Sequence, residues 1–218
     1  MKTTVRFNKW ILMAMVFPFT IGATAQVGGL PNAGNMTVCL SSTQPYGVVP
    51  TAGSTYTWTI IPGSGGGGAI TPGAAPNNII SVTWTSSGVC VLRVVETTAT
   101  CTGNPVEITV TVLPGLLPGV ASADQIICYN TIPNPLSSTE PVGGDGTYTY
   151  QWESSVDGGA SWVAEAGGTN LTFAPGALTV STSYHLIQTA GASCGTVTTN
   201  SVIITVQPEL VTSPIWHN

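Results

Sequence analysis

The chain has 218 residues, of which 43% are apolar and only 6% charged, and its formal net charge is −5. Three of its four basic residues, Lys2, Arg6 and Lys9, fall before residue 10; beyond them Arg93 alone stands against nine Asp and Glu, which leaves −8. One cation cannot neutralise a phosphate backbone or hold an anionic bilayer surface, so nucleic-acid binding and peripheral membrane binding are excluded. The acidity itself serves solubility.

The N-terminal segment reads as an export signal. The three basic residues form its n-region, Trp10 to Gly22 is its apolar stretch, and Ala23-Thr24-Ala25 is a small-x-small cleavage site. Residues 1–25 are therefore expected to be removed and to lie outside the fold, with Gln26 as the new N-terminus. No Cys at the cleavage site offers a lipid anchor. The apolar stretch is short for a membrane span and no later one approaches 18 residues, so no stable membrane insertion is expected after cleavage.

Beyond the signal the elements alternate between β runs and turns. Cys39 comes first. Thr55 to Ile61 alternates and contains Trp58; the Gly-rich run Pro62 to Gly68 is a turn; Ile79 to Trp84 and Val89 to Val95 alternate again, the second enclosing Cys90. Cys101 precedes the strand Glu107 to Val112. A short stiff linker at 114–118 follows. The pattern then restarts with Cys128, the turn Gly143 to Gly146, the strand Tyr148 to Trp152, the turn Gly167 to Asn170, the strand Tyr184 to Gln188, Cys194 and the strand Val202 to Val206.

These landmarks repeat in one order. Cys39, Trp58, Cys101 and a closing strand reaching Pro114 are matched by Cys128, Trp152, Cys194 and a closing strand reaching Pro208, with Cys-to-Cys separations of 62 and 66. Duplication is the economical reading. No segment carries a sustained helical period. The fold class is all-β: two tandem immunoglobulin-like β-sandwiches at 26–113 and 119–207, followed by a tail at 208–218.

Five cysteines in an exported chain read as disulfides. The repeat proposes Cys39–Cys101 and Cys128–Cys194, each closing a loop worth about 4 kcal/mol. Trp58 and Trp152 take the position of a core Trp packed on such a bridge. Cys90 is left over, either a buried thiol in its strand or one half of an intermolecular bridge.

The residues also carry a resemblance. Thr55-Tyr56-Thr57-Trp58, the Gly-rich turn, Ile79 to Trp84 and Cys101-Thr102-Gly103 make the first unit similar to PKD-like modules of Bacteroidetes surface proteins. Gln125 to Cys128, Tyr150 to Gly159, Trp162, Thr182-Ser183-Tyr184 and Asn200 to Val206 make the second resemble the companion Ig-like modules. The resemblance implies an adhesive or gliding-motility-associated protein. Val206 to Val211 parallels Val112 to Leu117, after which a new unit begins. The chain is thus expected to be the N-terminal part of a longer array or a small export in its own right.

No chemistry of a catalyst stands out. His185 lies in a strand and His217 in the tail, neither beside a nucleophile motif. The acidic residues are scattered singly, which offers no facing pair for a glycosidase. No Cys or His cluster has ligand spacing, and Asp145 and Asp157, though in Gly-rich turns, lack calcium-loop spacing. No cofactor and no metal are expected. Ser155-Val156-Asp157-Gly158-Gly159-Ala160-Ser161-Trp162 fits the Asp-box pattern of sialidase propellers. A sialidase needs several boxes and an Arg cluster, so here the motif reads as a hairpin stabiliser.

The expected function is a non-enzymatic adhesive or spacer pair. It would act at the cell surface, in the medium or in the periplasm, with other surface proteins or polysaccharide as partners. The alternative is a carbohydrate-binding module. It would stack sugar rings on Trp84, Tyr148, Tyr150 and Trp162, residues that serve equally well in core or hairpin packing.

Overall fold

The computed structural model describes residues 13–14, 35–192 and 194–211; it divides the chain into two compact units, Met1–Gly115 and Leu116–Asn218. All regular structure among the described residues is β. In the first unit the strands are β1 (Met13–Ala14), β2 (Met36–Cys39), β3 (Thr43–Gly47), β4 (Thr55–Pro62), β5 (Gly67–Pro72), β6 (Ile79–Ser86), β7 (Gly88–Thr97) and β8 (Val106–Leu113). In the second they are β9 (Gln125–Ile127), β10 (Leu136–Ser137), β11 (Tyr148–Ser155), β12 (Val163–Ala164), β13 (Thr172–Phe173), β14 (Thr182–Ala190), β15 (Thr196–Thr198) and β16 (Val202–Val206). Each of the seven alternating runs read from sequence falls on one of these strands, because period-2 patterning is what a half-buried strand requires.

The first unit is a sandwich of a β2-β8-β7-β4 sheet and a β1-β3-β6-β5 sheet. β2 runs parallel to β8, while β8, β7 and β4 are antiparallel. Alternation is strict on β7, where Cys90, Leu92 and Val94 point into the core and Val91 and Arg93 point out. On the facing sheet Ile80, Val82 and Trp84 of β6 close the same core together with Tyr46 of β3. The Gly-rich run supplies both a turn and the start of β5. Gly68 must be a glycine, since a Cβ there would sit 2.8 Å from the Thr83 carbonyl oxygen and 3.0 Å from the Trp84 ring.

Two residues of the expected export signal, Met13 and Ala14, are among the described residues and form β1. Met13 and Ala14, within the segment expected to lie outside the fold, pair antiparallel with Gly47 and Tyr46 at the outer side of β3. An edge strand presents unpaired N–H and C=O groups that accept any extended neighbour. Removal of residues 1–25 leaves β3 as that edge.

The second unit repeats the principal sheet in the same order. β9-β16-β14-β11 matches β2-β8-β7-β4, with β9 parallel to β16 and the other pairs antiparallel; β12 extends it beyond β11. The facing layer is thinner, a β10-β13 pair. Its core gathers Leu136, Trp152, Tyr184, Leu186, Val202 and Ile204, with Phe173 stacked 6.5 Å from Trp152.

Candidate functional site

The two units fix the tryptophans of β4 and β11 in one way. Trp58 on β4 donates its indole N–H to the Asn77 carbonyl at 2.7 Å, and Trp152 on β11 donates to the Asn170 carbonyl at 3.0 Å. The acceptor lies 19 and 18 residues downstream in the chain. Each bond ties a loop to the core margin. Burial separates the two positions. Trp152 is fully buried as expected, but Trp58 is only half-buried, and the fully buried indole of the first unit is Trp84. The reason is sheet order: β4 is an edge strand, whereas β6 lies between β3 and β5.

The cysteine frame is the principal correction. Cys101 and Cys128 are free and exposed, and Cys90 is a free buried thiol; Cys39 and Cys194 are disulfide-bonded. The expected Cys39–Cys101 and Cys128–Cys194 bridges are not the ones formed. Cys39 ends β2 beside Leu113, at the far end of β8, while Cys101 lies in the hairpin before the start of β8. The length of the eight-residue β8, about 23 Å at 3.3 Å per residue, separates them. A disulfide spans less than about 7 Å between Cα atoms. In the second unit Cys128 follows β9 near the start of β14, and Cys194 lies beyond its end, so the nine-residue β14 imposes about 27 Å. Equal spacing in sequence therefore reflects repeated topology and not repeated bridges.

Cys90 takes the buried option. It sits among Leu92, Val94 and Val110, its Sγ 3.8 Å from the Val110 carbonyl, and burial pushes its thiol up. Beside it the Tyr46 phenol is pushed up to about 12 by burial, the Trp84 indole opposing that shift. The Tyr46 hydroxyl and the Trp84 Nε1 nonetheless make no hydrogen bond of good geometry.

The aromatics expected to stack on sugar do not form a strip. Trp84 is wholly inside the first unit. Tyr148 and Tyr150 share the inward parity of β11 with Trp152; Tyr148 donates to the Gly143 carbonyl at 2.7 Å and Tyr150 packs on the core. Trp162 lies over the opposite, outward side, stacked on His185 with ring centroids 3.7 Å apart. Within the second unit, alternation on β11 turns Tyr148 and Tyr150 to the side opposite Trp162.

His185 itself lies opposite Glu153 across β14 and β11, its Nε2 3.0 Å from the Glu153 Oε2. This Glu153–His185–Trp162 stack is a feature the sequence reading missed. The signal was present in the parity of β14, where His185 alternates with the inward Tyr184 and Leu186.

The Asp-box hairpin behaves as expected. The Ser155 hydroxyl donates to Asp157 Oδ1 at 2.7 Å and accepts from the Gly159 N–H at 2.8 Å. The Ser161 N–H and hydroxyl donate to the two Asp157 oxygens at 3.0 and 2.5 Å. Gly158 and Gly159 take φ of 74° and 94°, where only glycine is unstrained. The Ser161 hydroxyl, then the Ser155 hydroxyl and the Ser161 N–H, hold the Asp157 carboxyl well below the usual range. Such a group stabilises the fold above its unfolded pKa of about 4 and loses that contribution only as pH falls through its lower folded value. Protection of the Gly159 and Ser161 amides from exchange should therefore persist at pH 4 and fail in stronger acid. Asp157→Ala should abolish it already at neutral pH. Hydrogen exchange followed by NMR across a pH series measures both.

Charge is equally committed. Arg93, the single Lys or Arg among the described residues, donates to Glu107 at 2.6 Å on the outward face of the first unit. Among the described residues no group of three metal-ligating side chains is assembled.

Comparison with known proteins adds little on chemistry. Residues 117–208 match a family profile described as a domain of unknown function (DUF8696). No curated protein sequence matches the chain. Among solved structures, the chain is similar to the I-band fragment I67–I69 from titin, with 13% identity over 79% of this chain and 62% of that one and a TM-score of 0.45. Extracellular domains 3–5 of Drosophila OTK match at 14% identity over 80% of this chain and 60% of that one, TM-score 0.44. Human mucin-like protocadherin EC1-2 matches at 13% identity over 82% and 97%, TM-score 0.30. The chain thus spans about three-fifths of the length of the titin fragment. The tandem Ig-like sandwich rests on the strand order of each unit.

Proposed function

We propose that this chain is a non-enzymatic exported protein whose two Ig-like units act as an adhesive or spacer pair at the cell surface. The observation that carries this reading is the repeated sheet, β2-β8-β7-β4 and β9-β16-β14-β11, with Asp157, His185 and Arg93 each committed to a contact within it or its hairpins. Asp157 closes a hairpin, His185 is sandwiched between Glu153 and Trp162, and Arg93 is paired with Glu107. A repeated scaffold whose polar groups satisfy one another suits bearing load and presenting surface. Among the described residues the second unit exposes Ile126, Val163 and Ile203 on its principal sheet. Exposed aliphatics of this kind favour protein partners over polysaccharide.

The resemblance to PKD-like and Ig-like modules of Bacteroidetes surface proteins supports the same reading, as does the export signal proposed at residues 1–25. Fractionation of the native host with surface-protease shaving tests it. The expected result is a mature chain beginning at Gln26, accessible to protease on intact cells. A chain retained in the cytoplasm with residues 1–25 attached would overturn it.

A further inference from the structure

The two units treat one edge of the repeated sheet differently. In the second, Trp152 of β11 turns its backbone N–H and carbonyl away from β14, and residues 163–168 satisfy them. The N–H donates to the Gly168 carbonyl at 2.7 Å, and the carbonyl accepts from the Glu165 N–H at 2.9 Å. β12 continues the pairing, with Ala164 opposite Glu153 and Val163 opposite Ser154. The cover is close: a Cβ on Gly168 would lie 2.9 Å from the Trp152 Cβ.

Trp58 of β4 holds the same position, by sheet order and by its indole bond to a downstream loop. Its edge is open at the same atoms. Tyr56 donates its N–H to the Pro76 carbonyl at 3.2 Å, away from β7, and strand parity turns the N–H groups of Trp58 and Ile60 to that side. Among the described residues neither N–H has a hydrogen-bond partner. The cause is where the intervening chain goes. Trp58 and Trp152 lie 19 and 18 residues before the carbonyls that hold their indoles. In the second unit that stretch lays β12 against β11; in the first it forms β5, which pairs with β6 in the facing sheet. The first unit has therefore used the segment that covers the edge in the second.

The opening is short and bounded. The Pro76 carbonyl closes it at Tyr56, and Pro62, which has no N–H, ends it. Between them β4 has no charge, no bulge and no proline, the devices that keep an edge strand from pairing. Trp58 and Ile60 flank the opening, packed on the core but only partly buried.

We propose that this edge, from Trp58 to Ile61, receives an extended segment of a partner protein, added antiparallel with a glycine over Trp58. Backbone bonds to Trp58 and Ile60 hold the added strand, and its apolar residues complete the cover of those two side chains. The glycine is required where the segment crosses the tryptophan, as Gly168 does in the second unit. The inference rests on the adhesive reading, which calls for a protein partner. The two fail separately, since this one is tested on the purified chain and that one by fractionation of the host.

The probe is a synthetic peptide of residues 161–169, the segment that covers the equivalent edge, added to the full chain with amide exchange read by NMR. In the free protein the Trp58 and Ile60 amides should exchange faster than those of Trp152 and Ser154. Peptide at about ten times its Kd should slow Trp58 and Ile60 about tenfold. A peptide N-methylated at Glu165 lacks the N–H that a tryptophan carbonyl accepts and should leave both rates unchanged, and Gly168→Ala in the peptide should weaken the effect. Trp58 and Ile60 amides already protected in the free protein, or unmoved by the peptide up to its solubility, would overturn the proposal. So would equal protection by the N-methylated peptide. Protection that instead grows with protein concentration alone would assign the edge to a second copy and overturn the partner.

Discussion

Replacing Trp84 by Ala should destabilise the first unit by about 3–5 kcal/mol, the cost of emptying a fully buried indole. For a unit of this size that is roughly a 15–30 °C loss of Tm. The ring is wedged against Tyr46 in an edge-to-face contact at 6.0 Å and 84°, and Gly68 opens space for it, so no neighbour is free to refill the cavity. Trp84→Phe should cost far less than the Ala change. The Trp84 Nε1 makes no hydrogen bond of good geometry, so Phe gives up little beyond ring volume. Trp58 should respond more weakly, with a larger share of its cost carried by the indole N–H. Its Ala variant should cost about 2 kcal/mol, since the ring is half-buried, and its Phe variant about 1 kcal/mol, the bond to Asn77. Urea unfolding, with amide exchange in β6 and β4 to assign the transition, separates these outcomes. A Trp58→Ala variant less stable than Trp84→Ala would restore Trp58 as the core residue.

Gln188→Leu should cost the second unit about 2–3 kcal/mol although it replaces a polar core residue by an apolar one of similar size. Gln188 is wholly buried, and its amide is saturated: Oε1 accepts from the Gly119 N–H at 2.8 Å, and Nε2 donates to the Thr139 carbonyl at 2.9 Å. Leucine leaves the buried Gly119 N–H without a partner. Gly119 cannot move aside, because it already passes so close to the Thr139 carbonyl that even a Cβ would collide. Gln188→Glu should be worse than Leu, since a buried carboxylate would face the Thr139 carbonyl oxygen. Thermal unfolding of wild type and the two variants orders them as wild type, Leu, Glu; a Leu variant as stable as wild type would show that the amide contributes nothing.

These two residues also mark how far the sequence could be read. The long strands were legible because their apolar residues alternate. β5 was not, because Gly67 and Gly68 read as turn, and glycine stands in a strand there only to let the Trp84 ring approach. β9, β10, β12, β13 and β15 span two or three residues, too few for a period to show. The role of Gln188 was available from parity, since Tyr184, Leu186 and Gln188 share one face. The choice between Trp58 and Trp84 was not, because which strand lies at a sheet edge is set by long-range pairing. The cysteine frame failed for a related reason. Spacing along the chain fixed which turns carry cysteines but not that a whole strand length lies between them. Positive φ at Ser41 and Asn130, by contrast, shows that Cys39-Leu40-Ser41-Ser42 and Cys128-Tyr129-Asn130-Thr131 form matching turns, a likeness their sequences also carry.

The central claim is that each unit is closed by packing and not by its own pair of cysteines, which leaves Cys101 and Cys128 open at opposite kinds of position. Differential alkylation with peptide mapping tests it most directly. The native protein should take label at Cys101 and Cys128, the unfolded protein additionally at Cys90, and the reduced protein at Cys39 and Cys194 as well. A non-reduced peptide joining Cys39 to Cys101, or Cys128 to Cys194, would contradict it.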